Sequence, residues 1–273
     1  MRPEIIDAFE LLRSGDHGNL EQALALLQKT VFSFSMKVCG HREDAEDNMQ
    51  EVLLKAIPYL TKFETPQALS AWLYTVVKNR CLMSRRKGKY EPKHHLSLDE
   101  LMPDVAELER LRELAAHTPS PEKVLAVSED TEQLKKAVLQ LPPPYRLILV
   151  LHDVEELSTE DIARILNLKE GNVRIRLHRA RLFVRNAMAE AAMRARGENL
   201  APASTPASAA MGQPRRTGRC KRIFANLSNY LDGVLDDSLC QELERHMHGC
   251  EPCKAFLASL QTTISQTRKL ASS

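Results

Sequence analysis

The chain contains no apolar run of about 18 residues, the length a membrane-spanning helix requires. Its opening stretch, MRPEIIDAFELLRSGD, carries acids where a secretory leader would be apolar. Both absences lead us to expect a cytoplasmic protein that makes no membrane contact. Charge of one sign is also missing. Thirty-eight Lys and Arg against 36 Asp and Glu leave a formal net charge of +2, so a polyanion-binding surface has to be local. Aromatics make up only 5% of the 273 residues, while Leu, Ala, Glu, Lys and Arg abound, which points to an all-α fold. The length allows two or more small domains. In a reducing compartment the six cysteines read as thiols or metal ligands before they read as disulfides. No glycine-rich phosphate loop is present, so the chain is not expected to be an enzyme.

What is there is helical. Two periodic stretches in residues 4–38 are split by SGDHGN. In the next, Ala45, Met49, Val52, Leu53, Ala56 and Leu60 form an inward stripe. The other side holds Glu43, Asp44, Glu46, Asp47, Gln50 and Glu51, more acid than dipole compensation requires, which suggests a docking face. After the loop FETPQALSA comes WLYTVVKNRCLMSRRKGK, with Trp72, Val76 and Val77 inward. Its basic end (Lys78, Arg80, Arg85, Arg86, Lys87, Lys89) reads as a phosphate-facing patch or a solvated helix terminus.

Pro92, Pro103, Pro119 and Pro121 interrupt the following connector. A second helical domain then leads to LSTEDIARILNLKEGNVRIRLHRARLFVR, a helix-turn-helix pattern. Ser158 and Asp161 resemble a capping box, Gly171 fits the turn, and Asn172 is placed to cap the second helix. There Val173, Leu177, Ala180 and Val184 face inward, leaving Arg174, Arg176, His178, Arg179, Arg181 and Arg185 outward. Five arginines with no acid among them call for a polyanion, and a major groove offers one.

The expected division is residues 1–90, connector 91–120, residues 121–192, an Ala-Pro-Ser-rich linker 193–218 and a small module 219–273. In that module HMHGCEPCK places His246, Cys250 and Cys253 at metal-ligand spacing, His246 and Cys250 on one helical face. With Cys220 upstream they make a Cys3His set for one zinc ion. Cys240 is the competing fourth ligand, and a disulfide is the competing chemistry. A module of about fifty residues has too little core to hold itself together, so a metal staple suits it.

Two of these stretches resemble the extracytoplasmic-function group of the sigma-70 family. REDAEDNMQEVLLKAIPYLTKF with WLYTVVKNR looks like region 2, and LPPPYRLILVLHDVEELSTEDIARILNLKEGNVRIRLHRAR looks like region 4. The last module is similar to zinc-binding anti-sigma domains, here fused to the chain. The resemblance implies a sigma factor that binds core RNA polymerase and starts transcription. It implies that Asp47, Gln50 and Glu51 dock on the beta-prime coiled coil, and that residues 64–70 hold a flipped base. It further implies that Trp72, Asn79, Arg80, Arg85 and Arg86 act at the −10 element, and Asn172, Arg174, Arg176 and Arg179 at −35. Two departures are Leu82 and Met83, where an acid is common, and Asn172, where a small hydroxyl residue is common. The linker would let the zinc module dock intramolecularly at high effective concentration. The alternative is a stand-alone helix-turn-helix regulator with a structural zinc module.

Overall fold

The computed structural model describes residues 2–14, 17–86, 96–102, 126–195 and 218–271. The side chains of residues 82–86, Cys220 and a few others lie outside that description. Among the described residues every regular element is helical. The helices are α1 (Pro3–Arg13), α2 (His17–Cys39), α3 (Arg42–Ala56), α4 (Pro66–Arg86), α5 (Leu98–Leu101) and α6 (Ala126–Gln140). They continue as α7 (Pro143–Leu149), α8 (Thr159–Leu166), α9 (Glu170–Ala195), α10 (Gly218–Leu231), α11 (Asp237–Gly249) and α12 (Glu251–Lys269). A 3-10 turn, Ile57–Lys62, follows α3, and a π turn, Val150–Val154, follows α7. None is long and apolar enough to cross a membrane.

The chain forms two compact units, residues 1–94 with 138–174 and residues 95–137 with 175–273. Long α9 belongs to both. In the first unit Ile5 and Ala8 of α1, Leu27 and Phe34 of α2, Val52 and Ala56 of α3, and Leu69, Leu73 and Val77 of α4 are buried. Tyr74 meets Phe34 edge-on, with ring centroids 4.7 Å apart. The stripe expected on α3 is corrected by one residue. Asn48 is buried while Met49 and Leu53 are half-buried, because the Asn48 amide donates to the Cys39 and Cys81 sulfurs, 3.1 Å from each. The expected loop before Trp72 is shorter too. Pro66 suits a first helical position, and Thr65 Oγ1 accepts the Ala68 N–H at 3.1 Å, so α4 starts there. Gly40 follows α2 at φ +78°, and a β-carbon there would lie 2.8 Å from the Leu139 side chain. A larger residue would be strained by that left-handed backbone and would have to push the Leu139 side chain aside.

Polar contacts join the α1–α4 bundle to the α7–α8 segment inside this unit. Glu155 is fully buried. It accepts Arg2 Nε at 2.5 Å, Arg2 Nη2 at 3.0 Å and the Tyr74 hydroxyl at 2.6 Å. Burial, then the Glu155 charge, pushes the Tyr74 hydroxyl pKa well up, so the hydroxyl stays a donor. Lys78 Nζ donates to the Ile165 carbonyl at 2.8 Å, satisfying an end of α8. Arg146 reaches the carbonyls of Val38 at 2.7 Å and Leu141 at 2.9 Å, and also that of Leu139. Three chain segments thus end on buried charge.

The second unit has one apolar cluster. Leu101, Met102, Leu182, Ile223, Phe224, Leu227, Leu243, Met247, Phe256 and Leu260 all belong to it. Phe224 of α10 and Phe256 of α12 stack edge-on at 4.9 Å. Leu182 on α9 and Leu101 on α5 are therefore part of the same core as the C-terminal helices.

Removing the Glu155 carboxylate strands a buried guanidinium. Glu155→Ala should cost about 3–5 kcal/mol, read by urea unfolding followed through Trp72, the one tryptophan. A midpoint within error of the parent would refute this account of the junction.

Candidate metal centre and nucleic-acid interface

The metal-ligand spacing falls on a helix break, correcting the expectation of one continuous helix. α11 ends at Gly249, Cys250 leaves the helical region at φ −138° and ψ 88°, and α12 restarts at Glu251 with Pro252 in its first turn. The break turns the chain so that ligand atoms of His246, Cys250 and Cys253 lie within 4.8 Å of one another. His246 Nε2 and Cys253 Sγ are 3.3 Å apart. One imidazole and two thiols at such spacing fit a tetrahedral zinc ion, whose bonds are about 2.0–2.3 Å. Cys250 packs against the apolar cluster and Cys253 lies within it. Cys220, the expected fourth ligand, falls on α10, but its side chain lies outside the described residues. Cys240 stands apart from the cluster. Its Sγ donates weakly to the Leu235 carbonyl at 3.9 Å. Desolvation, then Glu244, Asp237 and Asp236, pushes its thiol pKa up, away from the thiolate a metal takes. His248 is exposed.

The acidic face is real as a surface. Asp47 and Gln50 are exposed on α3 and Glu51 is half-buried. Glu51 is not idle, since Lys55 donates to it at 2.8 Å and Arg80 of α4 pairs with it. The Lys55 hydrogen bond holds its carboxyl pKa below the usual value. Sequence reasoning missed the apolar neighbours of this face: Leu54 is 69% exposed and Ile57 44%. Their exposure needs an inside–outside judgement that periodicity alone does not supply. Gln50 also lines an open groove with Met49 and, from α2, Phe32 and Lys29.

On α4, Trp72 is half-buried, and Asn79 and Arg80 are exposed. Trp72 sits 5.7 Å from the Phe63 ring and 6.2 Å from half-exposed Tyr59, whose face Lys62 covers at 5.1 Å. Arg85 and Arg86 lie on the α4 backbone, with side chains outside the described residues, as does the basic run beyond. Of residues 64–70, Leu69 and Ser70 are buried and helical, leaving Glu64 and Thr65 as the open bend.

The helix-turn-helix differs in its turn. Ser158 caps α8 as expected, accepting the Asp161 N–H at 3.0 Å. The left-handed turn residue, however, is Asn167 (φ 53°) and not Gly171. α9 begins at Glu170, so Asn172 is already inside the helix, its N–H bonded to the Lys169 carbonyl at 2.9 Å. An Asn tolerates that left-handed backbone, which is why the motif works without glycine there. Arg174 pairs with Glu170 at 2.6 Å, and Thr159 donates to the same carboxylate oxygen at 2.6 Å. Arg176 and Arg179 are half-buried.

The expected outward row breaks down beyond residue 177. His178, Arg181 and Arg185 are 5%, 1% and 2% exposed. Within the second unit the C-terminal helices cover them. Arg181 donates through both Nη atoms to Asp232 at 2.7 and 2.9 Å. His178 Nδ1 lies 2.8 Å from Ser228 Oγ. The Arg185 guanidinium stacks 4.4 Å over the Phe256 ring and bonds Ser259 Oγ at 3.0 Å. The anion that the arginines call for is supplied, at Arg181, by the chain itself. Burial, then Arg181, lowers the His178 pKa to about 4, and its Nε2 faces no hydrogen-bond partner among the described residues.

Three family models match: Sigma-70 region 2 over residues 24–90, Sigma-70 region 4 over 131–184, and a zinc-finger family over 220–254. The zinc-finger match begins at Cys220. The ECF RNA polymerase sigma factor SigM of Mycobacterium tuberculosis is 30% identical over 174 residues, 64% of this chain and 74% of the relative. This chain belongs to the ECF sigma factors. SigW of Bacillus subtilis, another, is 26% identical over 174 residues, covering 64% of this chain and 91% of SigW. A solved complex of sigma factor RpoE with anti-sigma factor NepR from Bartonella quintana overlays at TM-score 0.44 with 23% identity, covering 63% and 97% of the two chains. Sigma factors are transcription-initiation factors rather than enzymes, and both sigma-70 regions are present in order in this one.

Two outcomes follow. Cys253→Ser should drop bound zinc well below one equivalent by metal analysis and lower the unfolding midpoint of the C-terminal helices; unchanged zinc content would remove Cys253 from the ligand set. His178 is neutral when docked, with a folded pKa of about 4 against an ordinary 6.5, so its contribution is complete above about pH 6.5 and is lost as pH falls towards 4. The loss reaches about 3 kcal/mol. With zinc content followed in parallel, His178→Gln should flatten the acid side of the stability profile; an identical profile would contradict the assignment.

Proposed function

We propose that this sigma factor directs core RNA polymerase to promoters and is restrained in cis by its own zinc module. The observation that carries the restraint is the paired Arg181–Asp232 contact, 1% and 11% exposed. A cation on the second helix of the helix-turn-helix spends its hydrogen bonds on a carboxylate where DNA would offer phosphate.

The division of labour follows the chain. Residues 1–90 engage polymerase and the −10 element, 121–192 the −35 element, and 219–273 form the regulatory module beyond the linker 193–218. Asp47 and Gln50, with Leu54 and Ile57 beside them, offer an acid-and-apolar stripe suited to a basic-and-apolar coiled coil, which we assign to the beta-prime subunit. Glu51 joins that face while also bracing Arg80. Trp72 with its ring neighbours, Asn79 and Arg80 would hold an unpaired strand by stacking and charge. The basic end of α4, including Arg85 and Arg86, would add phosphate contacts. Asn172, Arg176 and Arg179 would read or flank −35 bases, and Arg174 would do so on exchanging Glu170 for DNA. Cys220, His246, Cys250 and Cys253 would hold one zinc ion. A site filled by four protein ligands has no open position for catalysis, so the ion acts as a staple.

A stand-alone repressor would have no use for the exposed stripe on α3. Two measurements test the reading. A chain ending near residue 196 should transcribe more than the full chain with core enzyme; equal or lower activity would defeat restraint in cis. Asp47→Lys should weaken core-polymerase binding about tenfold or more, and full retention of binding would take Asp47 off the interface.

A further inference from the structure

The apolar core of the second unit contains a visitor from far upstream. α5 lies in the connector between the two promoter-reading parts, yet Leu101 and Met102 are 7% and 8% exposed inside the cluster of Leu182, Phe224, Phe256 and Leu260. Leu96 and Leu98 pack against the same cluster. Asn186 Nδ2 of α9 donates to the Leu101 carbonyl at 3.1 Å. A four-residue helix has little stability of its own. What holds it is a surface built jointly by α9 and the zinc module.

We propose that this surface is an anchor for residues 96–102, and that holding them shortens the tether between the −10 and −35 readers below the length a promoter demands. The proposal rests on the assignment of α4 and α9 to those two elements. By their names the elements lie 25 base pairs apart, about 85 Å at 3.4 Å per pair. From Arg86, where α4 ends, to Leu98 the chain spans at most about 43 Å fully extended. Asn79 to Arg86 adds about 10 Å of helix, and Asn186 back to Arg176 about 15 Å. Stretched in one line, the anchored tether reaches about 70 Å. Freed from the anchor, the 40 steps from Arg86 to Ala126 could extend to about 140 Å. Once the first unit's contacts between the α1–α4 bundle and the α7–α8 segment open, as the promoter spacing requires, anchoring turns a permissive linker into a restrictive one, without any contact to DNA.

Reach and surface cover are separable. Inserting about twelve Gly-Ser residues after residue 91 lengthens the tether by up to about 40 Å and leaves the anchor intact. Leu98→Asp with Leu101→Asp releases the anchor, with zinc content and circular dichroism confirming the fold. Asp232→Ala loosens the cover on α9 instead. All are assayed as full chains with core polymerase, beside the chain ending near residue 196, on a promoter found by start-site mapping. The expected result is a rise of about fivefold or more for the insertion and for the leucine pair. A silent insertion beside an activating Asp232→Ala or truncation would overturn the anchor while sparing restraint in cis. If no variant, the truncation included, rises, restraint itself fails and the anchor with it.

Discussion

A guanidinium removed from water must have its donors and its charge answered, and the second unit is organised around one meeting with a carboxylate. Arg181 cannot stay buried without Asp232. Asp232 lies just past the end of α10, so α10 has to lie along α9. Once it does, Leu182 shares one cluster with Ile223 and Phe224, Arg185 stacks on Phe256, and α12 comes with it. The candidate metal ligands His246, Cys250 and Cys253 sit at the joint between α11 and α12, where Cys253 belongs to that same core. Breaking the pair would leave a bare cation against apolar side chains, a worse state than either open helix in water. Docking by a fused module therefore behaves as one cooperative event rather than a set of independent touches.

The first unit uses the same device with different parts. Glu155 collects Arg2 and Tyr74, Arg146 collects carbonyls at the ends of α2 and α6, and Lys78 closes the end of α8. The Tyr74, Val38 and Lys78 contacts tie the region 2 match to the region 4 match, and Arg2 brings in the residues ahead of both. Polar groups at helix ends are specific in direction, so they set register where apolar packing alone would allow sliding.

Much of this was legible beforehand because periodicity is a local property. Ala45, Val52 and Ala56 on α3, Leu60 in the turn after it, and Val173, Leu177, Ala180 and Val184 on α9 are all buried. The metal spacing was visible for the same reason, three ligands within eight residues. What stayed hidden depended on partners distant in the chain. His178, Arg181 and Arg185 read as solvent-facing because nothing nearby in sequence announces Ser228, Asp232 or Phe256. Asn48 was not among the residues expected inward, because its reason for burial, two thiols on α2 and α4, lies on other helices. Gly171 looked like the turn residue by composition, yet Asn167 takes the left-handed backbone because the chain reverses one residue after α8 ends. The α5 segment gave no signal at all, since four residues carry no period.

The seating of Cys250 and Cys253 beside the core that grips α9 has a reciprocal side. Thermodynamic linkage runs in both directions. If metal occupancy steadies the module against α9, then whatever draws α9 away must loosen the hold on the ion by the same factor. A transcribing form would then carry its zinc less tightly than the resting form, by the factor that the metal contributes to docking.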